Sequence, residues 1–430
     1  MSQKILKNRG AALLTTLIFL LVISVIVVLG VASSAFAERR IIAESWRSRQ
    51  SFFASESGVE DVVYRFKSGK MTSAIQVLGG MNNTTASTSV AVVNGDQREI
   101  TALAVQQNTF RKSRALVSLG SGVSFNYGVQ SGNGGIILEN SASVRGNVYS
   151  NGPIDGSNSN IVRGDVVSAG ASGLIDGVHA TGTAYARTIR DSTIDGDAYY
   201  QNISGTIVGG TLYPGSPNQP PAELPISDAL IEEWKATALA GGVTSSPCPL
   251  KINSATTLGP RKIACDLEIE GNNYNITLNG PIWVEGNILI KNSPNIYIAT
   301  SLGNQSVPII ADDPSDRLSG SRIMLENSVD FFGSGSSGSY VVFISQNESA
   351  ENGGSNRAID IKNSVDGDLL VYAGHGEIEL QNNISLKEVT GYRIRIKNSA
   401  EVIYETGLAS LLFTSGPGGG YQLQGWGEAE

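Results

Sequence analysis

Gly182 to Tyr213 reads GTAYARTIRDSTIDGDAYYQNISGTIVGGTLY, and the unit repeated in it decides the fold. The unit is glycine, a polar residue, an apolar residue, then an aromatic or valine. It stands at Gly182-Thr183-Ala184-Tyr185, Gly196-Asp197-Ala198-Tyr199 and Gly210-Thr211-Leu212-Tyr213. Two earlier copies, Gly146-Asn147-Val148-Tyr149 and Gly164-Asp165-Val166-Val167, extend the series with steps of 18, 18, 14 and 14 residues. One short strand and one glycine turn bury no core alone. Stacking solves this, because each strand's backbone pairs with the coils above and below. The repeat predicts a parallel β-helix or similar solenoid. Tyr149, Tyr185, Tyr199 and Tyr213 share one repeat position, which predicts an aromatic ladder; facing outward they would instead offer a sugar-binding strip.

A second motif is leucine or isoleucine, a long polar residue, asparagine, then serine or asparagine. Its asparagines are Asn140, Asn292, Asn327, Asn363, Asn382 and Asn398, and from Asn292 the steps are 35, 36, 19 and 16. Two steps fit double coils and two fit single coils. Asparagine suits a corner between strands, since it tolerates a left-handed backbone and its amide can bond to its own copy one coil away. These asparagines are expected to be structural ladders.

Between the repeat sets, Pro214, Pro217, Pro220, Pro221 and Pro225 mark a linker. Ser227-Asp228 then caps a short helix, Ala229 to Leu239, ended by Gly241-Gly242. The domain reading is a leader at 1–10, an apolar-then-amphipathic helix at 11–68 and a small strand-rich unit at 70–130. A first solenoid follows at 131–215, a linker and short helix at 216–245, and a second solenoid at 246–430 whose glycine-rich tail, with Tyr421, Leu423 and Trp426, seals its last coil. The fold class is therefore mainly β, with one long N-terminal helix and a solenoid ectodomain in two parts.

The N-terminus sets the location. Ala11 to Ala37 contains no charged side chain, and Lys4, Lys7 and Arg9 precede it. Such a stretch spans roughly 40 Å as a helix, more than the ~30 Å of bilayer hydrocarbon. The basic side is expected in the cytoplasm and everything after Ala37 outside it. From Glu38 to Lys67 the chain has no proline, and Ile42, Trp46, Phe53, Val59, Val63 and Phe66 fall at helical spacing. This predicts one continuous helix, ended by Ser68-Gly69. A secretory signal cut after Ala35-Phe36-Ala37, or a plain single-pass anchor, are the other two layouts.

The run Arg9-Gly10-Ala11-Ala12-Leu13-Leu14 and the later Phe53-Ala54-Ser55-Glu56-Ser57-Gly58-Val59-Glu60 resemble type IV prepilins, in particular PilX-type minor pilins and their pseudopilin relatives. The resemblance covers residues 1 to about 68. It implies cleavage by a prepilin peptidase between Gly10 and Ala11, and assembly with other pilin-like subunits. At the fifth mature position, where major pilins carry glutamate, this chain has Thr15. A threonine cannot neutralise a neighbour's terminal amine, so the resemblance points to a minor or tip subunit of a bacterial cell surface, or to an adhesin. A glycan or another cell surface is the partner such a role implies.

Composition narrows the rest. The net charge of -8 argues against nucleic-acid binding, which normally shows a basic patch. Cys248 and Cys265 are the only cysteines. Outside the cytoplasm they could pair, closing a loop worth about 3 kcal/mol, or remain two buried thiols. Ile154-Asp155-Gly156, Ile175-Asp176-Gly177 and Ile194-Asp195-Gly196 are the one acidic repeat. Stacked on one edge, the carboxylates Asp155, Asp176 and Asp195 could hold calcium or act as a glycan hydrolase or lyase pair. Asp-Gly is also a common tight turn. A groove holding all three with Tyr185 or Arg187 would favour the enzyme; separate turns would not. His179 and His375 sit beside turn glycines. The reading is a non-catalytic surface protein without a cofactor, with a glycan-active β-helix enzyme as runner-up.

Overall fold

A computed structural model describes residues 6–67, 75–81, 84–94, 97–107, 109–120, 123, 125–405, 408, 411–413 and 420–429. The described chain divides into two units, one built on the N-terminal helix and one on the solenoid.

In the first unit, α1 is a single helix, Leu6–Lys67, so it begins inside the basic leader. Among the described residues it alone is long and apolar enough to cross a membrane, with mean hydropathy 3.0 and no burial of that window. Two hydroxyls of its apolar stretch bond back to the helix itself. Thr16 Oγ1 donates to Leu13 O at 2.9 Å and Ser24 Oγ to Leu20 O at 2.8 Å. The lower half of α1 packs on an antiparallel sheet of β1 (Ile75–Met81), β2 (Thr84–Asn94), β3 (Gln97–Gln106) and β4 (Thr109–Gly120).

The packed face of α1 differs from the expected stripe. Of the expected stripe Val59 is buried, whereas Ile42, Trp46 and Phe53 are exposed, and the packed face is completed by Ser51, Ala54, Ser55, Gly58 and Val62. Small residues let helix and sheet approach closely. A Cβ on Gly58 would lie 2.8 Å from Thr88 Oγ1 and 3.1 Å from the Ala102 Cβ. Ser55 and Ser113 hydroxyls meet at 2.6 Å across the same contact. The expected helix stop at Ser68-Gly69 lies outside the described residues. The C-terminal strand, Gly420–Ala429, adds to β4 in this sheet. It does not seal the last coil as the sequence suggested, and the reason lies in the solenoid itself.

The second unit is a solenoid of parallel strands with three walls. Two walls share one large sheet and the third is a separate sheet. Seven coils run from the strand Val243–Thr244 to the strand Glu401–Ile403. Five coils and the first strand of a sixth run from β5 (Val129–Glu139) to Leu212–Pro214. The two sets form one tube, but in reversed chain order. The last coil of the C-terminal set, Glu388–Lys397, pairs in parallel with β5, and Glu401–Ile403 pairs with Ser143–Arg145. The last coil therefore has no open end for a tail to seal. One column of core side chains runs unbroken through the join: Ile359, Ile378 and Ile394, then Ile136, Ile154, Ile175 and Ile189.

This order forces the chain to travel from one end of the tube to the other. It does so as an extended strap, 215–227, and then helix α2, Asp228–Ala240, capped by Ser227. The strap descends coil by coil. Gln219 O accepts from Gly170 N, Pro220 O from the Tyr149 hydroxyl, Glu223 O from Gln130, and Ile226 O from the Tyr372 hydroxyl at 2.5 Å. Seven extended residues reach about 22 Å, and four coil steps rise about 19 Å. The strap is thus at full stretch. Outside the tube, α2 covers one wall, where Ile231 and Trp234 join Phe125, Tyr340, Leu370, Tyr372 and Phe413 in a second apolar core.

Candidate functional site

The glycine repeat has a steric cause. A Cβ on Gly164 would sit 2.5 Å from Gly146 O, and one on Gly196 would sit 2.6 Å from Gly182 O, because each glycine rides on the carbonyl of the coil before. The polar residue after the glycine accepts the next coil's N–H. Asn147 Oδ1 takes Asp165 N at 2.9 Å, Asp165 Oδ1 takes Thr183 N at 2.8 Å and Asp197 Oδ1 takes Thr211 N at 2.7 Å. The motif is stacking chemistry throughout.

The tyrosines follow the same wall. Tyr185 and Tyr199 stack with centroids 4.6 Å apart, and Tyr199 and Tyr213 at 4.3 Å with an interplanar angle of 7°. Tyr149 is separated from them by Val167 and lies buried beneath the strap. Burial first, then Tyr199, Asp165 and Asp197, pushes the Tyr185 phenol up to about 12. Rings stacked this closely cover one another's faces, and sugar stacking needs an open face. Only the outer face of Tyr213 is left, at the end of the tube.

At the corner between two walls, the six predicted asparagines form a ladder. Asn363 donates to Asn327 at 3.1 Å, Asn382 to Asn363 at 2.9 Å, Asn398 to Asn382 at 3.1 Å, and Asn140 to Asn398 at 3.1 Å. All have left-handed backbones, with φ between 49° and 67°. Asn158 adds a rung, donating to Asn140 at 3.0 Å. Sequence reasoning missed it because Gly156-Ser157 replaces the apolar-polar pair that precedes the other six. Beside the corner, Glu270, Lys291, Glu326 and Lys362 occupy one register column with alternating charge, closed by ion pairs of 3.8 and 3.2 Å.

The three acidic candidates separate. Asp155 and Asp176 are register neighbours, but Arg190 occupies the next position and holds Asp176 at 2.7 Å. Burial, then the Asp176 charge, raises the Asp155 carboxyl, and Arg190 opposes this. Asp195 lies on the third wall, 3.3 Å from His179. Among the described residues no group of three or more His, Cys, Asp or Glu is placed to hold a metal ion. His375 is bound through Nδ1 to Glu351 at 2.5 Å and lies 3.5 Å from Asp228 at the start of α2, so it ties a coil turn to the helix. Cys248 and Cys265 are both thiols, Cys248 exposed and Cys265 buried.

The most buried charge cluster is one that sequence reasoning passed over. Asp312 is fully buried. It takes Lys235 of α2 at 2.6 Å and Arg317 at 2.8 Å, and Arg317 also reaches Glu348 at 3.2 Å. The Lys235 and Lys262 ammonium groups flank the Trp283 ring at 4.6 and 3.9 Å. This cluster locks α2 to the tube. Asp312-Asp313-Pro314 reads as a loop because a buried ion pair 77 residues apart leaves no local pattern.

No family model matches the chain, and no curated protein matches it. Among solved structures, the crystal structure of the competence-associated pilin ComZ from Thermus thermophilus is similar at 10% identity, covering 89% of this chain and 97% of that one, with a TM-score of 0.33. At that TM-score the likeness carries no functional argument.

Proposed function

We propose that the chain is a membrane-anchored, pilin-like subunit that presents a β-solenoid outside the cell and performs no chemistry of its own. The observation that carries this is α1. One helix leaves an apolar, exposed upper half for lipid and lays its lower half on an antiparallel sheet of its own unit. The exposed side chains Ile42, Trp46 and Phe53, at i, i+4 and i+11, suit packing against other helices of the same kind. Thr15 in place of an acid favours a minor or tip position over bulk polymer. The walls favour display over catalysis: Asp155–Asp176 is closed by Arg190, and the tyrosine faces are spent on one another.

Processing gives the direct test. The protein recovered from membranes should begin at Ala11, and a fraction should co-purify with sheared surface filaments. A first residue of Glu38 would mean a released protein, and an intact Met1 a plain anchor; either would end the pilin reading.

A further inference from the structure

The two ends of the tube are built differently, and the difference points to a partner. At the end formed by Asn202–Ser204, Ile207–Val208 and Leu212–Pro214, each strand pairs, among the described residues, only with the coil beneath it. Its outward backbone is a free parallel edge. Ile207 is 70% exposed, Leu212 50% and Tyr213 39%. Edge strands are normally blunted by lysine, proline or a bulge. From Asn202 to Pro214 there is no charged residue, in a chain of net charge -8, and the one proline, Pro214, stands at the very end of the last strand. The opposite end, Val243–Leu258, has Pro247, Pro249 and Lys251. It opens as a hollow of about 540 Å³ lined by Thr244, Leu250, Ile252 and Leu258.

We propose that the Asn202–Pro214 end is a self-association surface on which two copies of this chain meet end to end about a two-fold axis. Three observations select a second copy. Chains of net charge -8 repel wherever they present their average surface, and this neutral end is where they do not. The join at β5 already places a coil edge against one remote in the chain, in register and without a connecting loop. Head-to-tail stacking is disfavoured by shape. Coils at the neutral end advance by 14 residues, those at the hollow end by 17 and 20, and a narrow coil would leave the hollow unfilled. An isologous contact closes at two copies and hides both edges.

The test uses the full-length protein in detergent micelles, with mass measured by light scattering across a dilution series. Wild type is expected to be a dimer that dissociates on dilution. Ile207→Lys and Leu212→Lys, made separately, should each weaken it at least tenfold through like charges brought face to face. Both side chains are exposed, so the urea midpoint of each variant should match wild type. If one variant unfolds, the other carries the test, and Thr206→Lys supplies a third. A monomer at every concentration overturns the proposal. So does a dimer that all folded variants retain, which would place association on α1, and so does an open series of larger species, which would mean head-to-tail growth.

Discussion

The side-chain amide of Asn140 donates to Asn398 at 3.1 Å, although 258 residues separate them in the chain. That single bond lies on the join between two coil sets. It shows that the ladder treats them as one object. Its energetic weight comes from two sources, the amide bonds and the left-handed corner that asparagine tolerates.

Substitution at Asn398 should separate the two. Asn398→Gly keeps the left-handed corner, φ 54°, and loses the bonds to Asn382 and from Asn140. The expected loss is about 1–2 kcal/mol. Asn398→Ala adds the cost of forcing a Cβ into that region, a further ~1 kcal/mol. Urea unfolding read by circular dichroism would check this. Equal losses would mean the corner conformation contributes nothing.

The asparagine corner was legible because its chemistry is local: a left-handed pair, Asn-Ser, recurs wherever the wall turns. Chain order was not. Ile136 and Ile394 look alike in sequence, and nothing in a period says which coils abut. The prolines marked the strap as a linker, but its course along the tube was silent, since its bonds run through the carbonyls of Gln219, Pro220, Glu223 and Ile226, which every residue type possesses. The helix stripe misled for a related reason. Large apolar residues mark a packed face in most helices, but here small ones let α1 approach the sheet and leave Trp46 and Phe53 outside.

Asp312 should be the most sensitive position in the strap's attachment. Asp312→Ala leaves the buried Lys235 ammonium with only the exposed Glu232, 2.7 Å away, and takes Arg317's buried partner, a loss of about 3 kcal/mol. Lys235→Met should cost far less, because Arg317 still neutralises Asp312. Limited proteolysis would show cleavage within 215–227 for the aspartate variant at protease levels that spare wild type. Equal resistance in both would remove the cluster from its role as a lock.

Cys248 and Cys265 form the next expectation. Burial, then the hydrogen bond with Cys248, pushes the Cys265 thiol from 9.0 up to about 11. In reduced protein Cys265 should react with maleimide about a hundredfold more slowly than an ordinary thiol, from its smaller thiolate fraction. The exposed Cys248 should react readily. We further expect the exported protein to carry the two as a disulfide, so that neither labels before reduction. Mass spectrometry of labelled peptides distinguishes the states, and prompt labelling of Cys248 in untreated surface protein would exclude the bond.

Glu388 gives the chain a pH dependence of unusual sign. The carboxyl is fully buried; Thr390 donates to Oε1, while Oε2 has no hydrogen-bond partner among the described residues. Burial raises its pKa well above the ordinary 4.5, and the Thr390 hydroxyl only partly opposes this. Below pH 4.5 the carboxyl is protonated in both folded and unfolded chains and contributes nothing to the difference. Above it the unfolded chain releases the proton while the folded chain keeps it. Stability therefore falls with rising pH, by up to about 1.4 kcal/mol per pH unit, until the folded-state pKa is reached. Glu388→Gln keeps the shape and the Thr390 contact but cannot ionise. It should be more stable than wild type at neutral pH and equal to it near pH 4. Urea midpoints of the two proteins from pH 4 to 8 should diverge steadily; parallel curves would mean that Glu388 ionises in the folded chain as easily as in the unfolded one.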